Sequence, residues 1–159
     1  MTQPIVRPAQ PSDLSILSEY WYDRMALIAH QQASVHLRAD ARAVWEQNAH
    51  GWLNDINTRA VVSVQQDEVI GGLFVRIGDD APGILTQQSA TVLALVIDLH
   101  TVHQRQGVGR ILWQAMKAQL QVDGMTRLYA PVPTGDMLES TFWSSLGAWP
   151  AERGFGLDI

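Results

Sequence analysis

An apolar run long enough to be a strand buried on both faces leads through a glycine-bearing loop into a helix. This pairing, TVLALVIDLHTVHQRQGVGRILWQAMKAQLQV from Thr91 to Val122, constrains the fold more than any other stretch. Thr91 to Leu99 is Val, Leu, Ala and Ile broken only by Asp98, the β-branched and apolar pattern of a central strand. From Gly107 to Val122 the apolar residues Val108, Ile111, Leu112, Ala115, Met116 and Val122 recur at helical spacing. They define a face about 100° wide that should pack on a sheet.

Between strand and helix lies QRQGVGR, Gln104 to Arg110. Its glycines lack Cβ, so the backbone there can take a positive φ and admit another molecule closely. The first N–H groups of a helix have no intrahelical partner and carry the positive end of its dipole, so this corner suits an anion such as a phosphate. Arg105 and Arg110 flank it. A dinucleotide fingerprint would need a third glycine, where the chain has Leu112. A nucleotide-hydrolase phosphate loop would need Gly-Lys followed by Ser or Thr, and Lys117 stands out of place for it. An ordinary helix-entry turn remains the plainest alternative.

The spacing Gln104-x-x-Gly107-x-Gly109 after a buried strand resembles the acyl-CoA pyrophosphate loop of the GNAT superfamily of N-acetyltransferases. Three further segments follow the family's order. IVRPAQPSDL resembles its first strand and helix start, QQDEVIGGLFVRI its second hairpin, and FWSSLGA its late aromatic-and-glycine segment. The resemblance covers nearly the whole chain. It implies an α/β (α+β) fold, with a mixed, mainly antiparallel central sheet of six to seven strands flanked by about four helices.

Length and composition agree with that class. A chain of 159 residues fits a single domain, 1–159, that can bury a core without metal or disulfide staples. Residues are 47% hydrophobic and 17% charged, with no apolar run near the roughly 20 residues of a membrane span. No basic region followed by an apolar stretch opens the chain, so a soluble, cytoplasmic protein is expected. Cysteine is absent, which excludes disulfides, thiolate metal sites and an acyl-cysteine intermediate. A net charge of -5 and pI near 5.4 disfavour general binding to nucleic acid or anionic membrane. A small or cationic acceptor is more natural.

In chain order, Pro4 to Pro8 reads as a short strand, and Ser12 as the N-cap of a helix bearing Leu14, Leu17, Trp21, Met25 and Ile28. His30 to Leu37 reads as a connector. A second helix is expected from Arg38 to about Ile56, with Ala41, Trp45, Ala49, Trp52, Leu53 and Ile56 inward. Val61 to Val64 and Val69 to Ile77 read as a hairpin turning at Gln66 to Glu68, with Gly71 and Gly72 marking a bulge or a close backbone contact. Gly78 to Gly83 reads as a surface loop and Arg127 to Val132 as a strand. Asp136 to Leu146 reads as a short helix using Met137, Leu138, Thr141, Phe142 and Leu146, with Trp149 to Ile159 finishing the sheet.

The resemblance implies a cosubstrate, acetyl-CoA, and direct transfer of its acetyl group to a primary amine of a small molecule or peptide. The pantetheine arm would enter between the strands at Thr91 to Leu99 and Arg127 to Val132, held by backbone near Ile97, Asp98 and Leu99. A free N–H there would polarise the thioester carbonyl. Gln104, Arg105, Gln106, Gly107, Val108, Gly109 and Arg110 would cradle the pyrophosphate, with Phe142 and Trp143 against the arm. Relatives commonly dimerise, so a homodimer is an expectation too.

Two departures from the family's pattern concern protons. An amine of pKa about 10.4 is almost wholly protonated at neutral pH and needs a base. Where the family often has a titratable strand residue, this chain has Leu93 and Leu95. Asp98, His100 and His103 are the nearby candidates, with Glu19, Tyr20, Tyr22 and His30 facing the acceptor side. Strict alternation turns Asp98 away from Ile97 and Leu99 unless a bulge intervenes. The spacing of Asp98, His100 and His103 fits no established metal motif, so no metal is expected. The family's leaving-group tyrosine is replaced by Trp143, whose indole does not surrender its proton near neutral pH. Tyr129, Ser144 or solvent could substitute, and Asp136 stands where relatives often place Asn. These gaps keep a second reading open, a non-catalytic acyl-CoA-binding sensor or interaction domain of the same fold.

Overall fold

The computed structural model describes residues 3–78, 88–100, 107–133 and 135–159. Its elements run β1 (Ile5–Pro8), α1 (Leu14–Gln31), α2 (Ala41–Leu53), β2 (Thr58–Gln65), β3 (Glu68–Ile77) and β4 (Ser89–Ile97). They continue with α3 (Val108–Val122), β5 (Arg127–Pro131), α4 (Met137–Ser145), β6 (Trp149–Ala151) and β7 (Gly154–Asp158). One seven-stranded sheet has the order β1-β2-β3-β4-β5-β7-β6, antiparallel throughout except for the parallel pair β4 and β5. Sheet and helices match the mixed, mainly antiparallel architecture expected from the sequence.

Local chemistry explains most boundaries. The hairpin of β2 and β3 turns on Gln66 and Asp67, both at positive φ (52° and 63°), the two-residue geometry whose twist suits antiparallel strands. Helix α1 is entered through a turn of 3-10 helix at Pro11–Asp13, and Asp13 rather than Ser12 organises it. The Asp13 carboxylate accepts from the Gln10 N–H at 2.7 Å and pairs with the Arg7 guanidinium at 2.8 Å. Helix α2 starts later and stops earlier than its apolar pattern suggested. Asp55 accepts from the Asn57 N–H at 2.9 Å and makes a turn, leaving Ile56 86% exposed instead of inward. In α3 the terminal Val122 is likewise 88% exposed, and Trp113 and Leu120 take up the buried face with Val108, Leu112 and Met116.

Two apolar clusters lie on opposite faces of the sheet. On one face, α1 and α2 supply Leu14, Leu17, Trp45 and Ala49 against Val62, Phe74 and Val96. On the other, Val108, Leu112, Met116 and Leu120 of α3 and Trp143 of α4 pack on Leu73, Val75, Leu95 and Leu128. Gly71 and Gly72 serve both faces. A Cβ on Gly71 would press on the Val96 carbonyl and Val108, and one on Gly72 would press on Leu17. A register shift between Ser63 and Val64 falls beside them, so the glycine pair marks both a bulge and close packing.

A second shift falls within β4. Phe74 pairs with Ala94 but Val75 pairs with Val92, which leaves Leu93 as an extra residue. Ala90 and Val92 face α3, while Leu93 and Ala94 both face α1 and α2. Downstream, Leu95 and Ile97 therefore return to the α3 side.

Candidate functional site

The parallel pairing of β4 and β5 stops after Ser89 with Arg127, Ala90 with Leu128 and Thr91 with Tyr129. Beyond Thr91 the strands part, and no described strand pairs with that edge of β4 from Val92 to Ile97. A cavity of about 200 Å³ lies in the gap, lined by Leu95, Ile97 and Leu99, by Gly107 to Arg110, by Leu138, Glu139 and Phe142, and by Arg24.

At one end of this cavity is the start of α3. Gly107 is its N-cap, in the left-handed region at φ 102°, and a Cβ there would meet nothing within 4 Å. The first bond into the helix runs from the Ile111 N–H to the Gly107 carbonyl at 2.9 Å. The N–H groups of Val108, Gly109 and Arg110 thus have no intrahelical acceptor. Gly109 is bare for a different reason. A Cβ on it would come within 2.8 Å of the Phe142 ring, so glycine lets α4 close against the helix entrance. Arg110 reaches the Ser145 hydroxyl at 3.2 Å and stays exposed at the rim. Open glycine, amides without an intrahelical acceptor and, among the described residues, an unpaired strand edge together fit a phosphate-bearing ligand with an extended amide arm.

The opposite wall is ionic. Arg24 projects from α1, on one face of the sheet, to Asp136 and Glu139 of the α4 segment, which packs on the other face. Arg24 and Glu139 line the same cavity as Leu95 and Ile97 of β4, so they meet beside the opening between β4 and β5. Arg24 Nη2 donates to Glu139 Oε2 at 3.3 Å, and Trp143 Nε1 donates to Glu139 Oε1 at 3.2 Å. Asp136 Oδ1 accepts from the Glu139 N–H at 3.0 Å, capping α4. Arg24 Nε lies 3.1 Å from Asp136 Oδ2, but the two are misaligned for a hydrogen bond, so charge alone links them. All three side chains are buried. Burial pushes the Glu139 carboxyl up to about 7, and the neighbouring Asp136 adds to that, against the opposing pull of Arg24 and the Trp143 N–H.

Sequence reasoning missed Arg24 and Glu139. On α4 the inward positions are Glu139 and Trp143, one turn apart, whereas Met137 and Leu138, expected inward, are exposed. The signal was available in Asp136-x-x-Glu139, an acidic cap with a charged residue on the inner face, and in the Leu17, Trp21, Arg24, Ile28 stripe of α1.

Other candidates from the sequence are placed as follows. Ile97, Leu99, Gly107, Val108, Gly109, Arg110 and Phe142 line the cavity. Trp143 is fully buried beneath it, edge-on to Trp113. Asp98 follows the end of β4, and its Oδ1 accepts from the His100 N–H at 3.0 Å, a turn-forming contact that leaves the His100 side chain exposed. The Tyr129 hydroxyl donates to the Glu152 carbonyl at 2.6 Å, away from the cavity lining. Tyr20 donates to the Val69 carbonyl at 2.8 Å. His103, Gln104, Arg105 and Gln106 lie outside the described residues, as does most of the Gly78 to Gly83 loop. Among the described residues no group of three or more His, Cys, Asp and Glu side chains could hold a metal, and no helix is long and apolar enough to cross a membrane.

Solved structures share this arrangement. An acetyltransferase from Thermus thermophilus superimposes with TM-score 0.70 at 20% identity, over 99% of this chain and 98% of that one. The PaiA N-acetyltransferase of Thermoplasma acidophilum, solved with coenzyme A, gives 0.70 at 13% identity over 99% and 98%. The chain has the GNAT acetyltransferase fold. A variant of the BH1408 protein from Bacillus halodurans gives 0.79 at 12% identity over 94% and 95%. No family model matches the GNAT-fold sequence, and no curated protein matches it.

Proposed function

We propose that this chain is an acetyl-CoA-dependent N-acetyltransferase that moves the acetyl group directly to a primary amine of a small molecule or peptide. One observation carries the reading: the opening between β4 and β5 leads to the glycine N-cap of α3, so one continuous site offers strand-edge backbone at one end and helix-entrance amides at the other. In that reading the N–H groups of Val108, Gly109 and Arg110, with Gln104, Arg105 and Gln106, hold the diphosphate. The edge of β4 near Ile97 to Leu99 holds the amide-bearing arm as an added strand would be held. The acetyl thioester supplies an activated carbonyl, and a thiol of pKa about 8.5 is a tolerable leaving group. The absence of cysteine leaves direct transfer as the simplest course.

Thiol release from acetyl-CoA, followed with a chromogenic disulfide across a panel of amines, tests this reading, with calorimetric titration of CoA alongside. Saturable CoA binding with amine-dependent thiol release is the expected result. Binding without release across the panel would favour the non-catalytic sensor. Absence of binding at millimolar CoA would remove the acyl-CoA reading altogether.

A further inference from the structure

The positions that match the family's proton-handling residues are Leu93 and Leu95 on the strand and Trp143 on the helix, and none of these side chains exchanges a proton near neutral pH. The structure brings an unassigned carboxyl to the same cavity. Glu139 lines it together with Leu95, Ile97 and Leu99, the strand edge beside which a bound thioester would lie. Its position on α4 is one turn before Trp143, and the indole N–H is spent on holding it. Arg24 holds the other oxygen. Each carboxyl oxygen thus has one protein donor and keeps a second lone pair.

We propose that Glu139 is the proton-carrying catalytic residue of the acyl transfer, a role that rests on the acetyl-transfer reading of the cleft. As the amine nitrogen bonds to the acetyl carbon and the carbon–sulfur bond breaks, the nitrogen's proton passes to the Glu139 carboxylate. Glu139 then gives that proton to the thiolate sulfur. The products are the amide and the free thiol, Glu139 is regenerated, and no other reactant is consumed.

The surroundings suit a group that must both take and release a proton. The charged groups facing Glu139 are Arg24 from α1 and Asp136 at the start of its own helix, while Arg110 lines the same cavity from α3. Two buried carboxyl groups therefore share one buried guanidinium, and burial favours keeping a proton on Glu139. The rise of Glu139 to about 7 places its exchange at neutral pH, where a general acid–base group works best. Arg24 steadies the ionised form and Trp143 fixes the carboxyl's orientation.

The test compares wild type with Glu139→Gln and Glu139→Asp, by kcat against pH for thiol release and by calorimetry with CoA. In the wild type a limb near neutral pH is expected. Glu139→Gln should lower kcat about a hundredfold or more and lose the limb, with CoA affinity kept within about twofold. Glu139→Asp should recover part of the rate. Wild-type kcat and limb in Glu139→Gln would overturn the proposal, as would a loss of CoA affinity matching the loss of rate. A wild-type protein that binds CoA but turns over no amine would overturn the acetyl-transfer reading itself, and this role with it. Should Glu139→Gln fail to fold, 13C-carboxyl NMR of the glutamate-labelled wild type decides. Of Glu19, Glu46, Glu68, Glu139 and Glu152, one should titrate near pH 7, and its absence would overturn the proposal.

Discussion

Replacing Glu139 with Gln should change how stability depends on pH, and the sign follows from burial. In the folded chain Glu139 holds its proton up to about 7, against an ordinary value of 4.5. Between those values the folded state binds more protons than the unfolded one, so unfolding free energy falls as pH rises. Glu139's contribution is fully present below about pH 4.5, declines as pH approaches about 7 and is flat beyond. The drop amounts to about 3 kcal/mol, since holding a proton across that interval is worth about 1.4 kcal/mol per pH unit. Glu139→Gln carries no proton to lose. Its amide also meets Arg24 or Trp143 less well, but that penalty is the same at every pH and drops out of the slope. Urea denaturation of both proteins from about pH 4 to about pH 8 would measure the effect. The variant should gain about 3 kcal/mol on the wild type across the range. A constant difference would show that Glu139 ionises normally within the cleft and refute the argument.

Asp13 should act with the opposite sign. Burial raises its pKa, but the bonds from Arg7 and the Gln10 N–H outweigh this and hold it below 3.8, so its contribution is present above that value and lost as pH falls further. Asp13→Asn should lower neutral-pH stability by about 1 to 2 kcal/mol and weaken the acid-side loss, read by denaturation at both pH values. Gly107→Asp places a carboxylate at the open entrance of α3 and forces a side chain into left-handed backbone; CoA affinity by calorimetry should fall about tenfold or more. Gly154→Ala drives a methyl into the Ala130 carbonyl on β5 and should cost about 2 kcal/mol or more, visible as a lower Tm. His100→Ala should leave the neutral pH limb of turnover in place, because the exposed imidazole is not among the cavity's lining groups.

What could be read from residues alone followed the strength of the local rules. The apolar run of β4 and the period of α3 are unambiguous, and Gly107 and Gly109 between them mark the helix entrance. Gln66 and Asp67 announced their turn. The misplaced residues are those where tertiary structure overrode a pattern. Ile56 and Val122 continue their helices' apolar stripes, but each lies where the helix has stopped or is about to stop, so the stripe has nothing to pack on. The larger omission was Glu139 with Arg24. A charged residue on an inward face is discounted by any hydrophobic-period argument, and its partner lies 115 positions away on α1. Nothing local joins them; they meet beside the opening between β4 and β5.

The extra residue at Leu93 gives β4 something like a reading frame. Upstream, Ala90 and Val92 are addressed to α3; downstream, the odd-numbered Leu95 and Ile97 are. Removing Leu93 would only erase the punctuation: Ala94 would follow Val92 in plain alternation, and Leu95 and Ile97 would keep their β3 partners and their place toward α3. A residue added just after Ala94 and paired without a second bulge would transpose the message, sending Leu95 and Ile97 toward the tryptophans of α1 and α2 and presenting Val96 to the ligand instead. A length change at the bulge is therefore silent, whereas the same change one step downstream inverts the wall of the cleft.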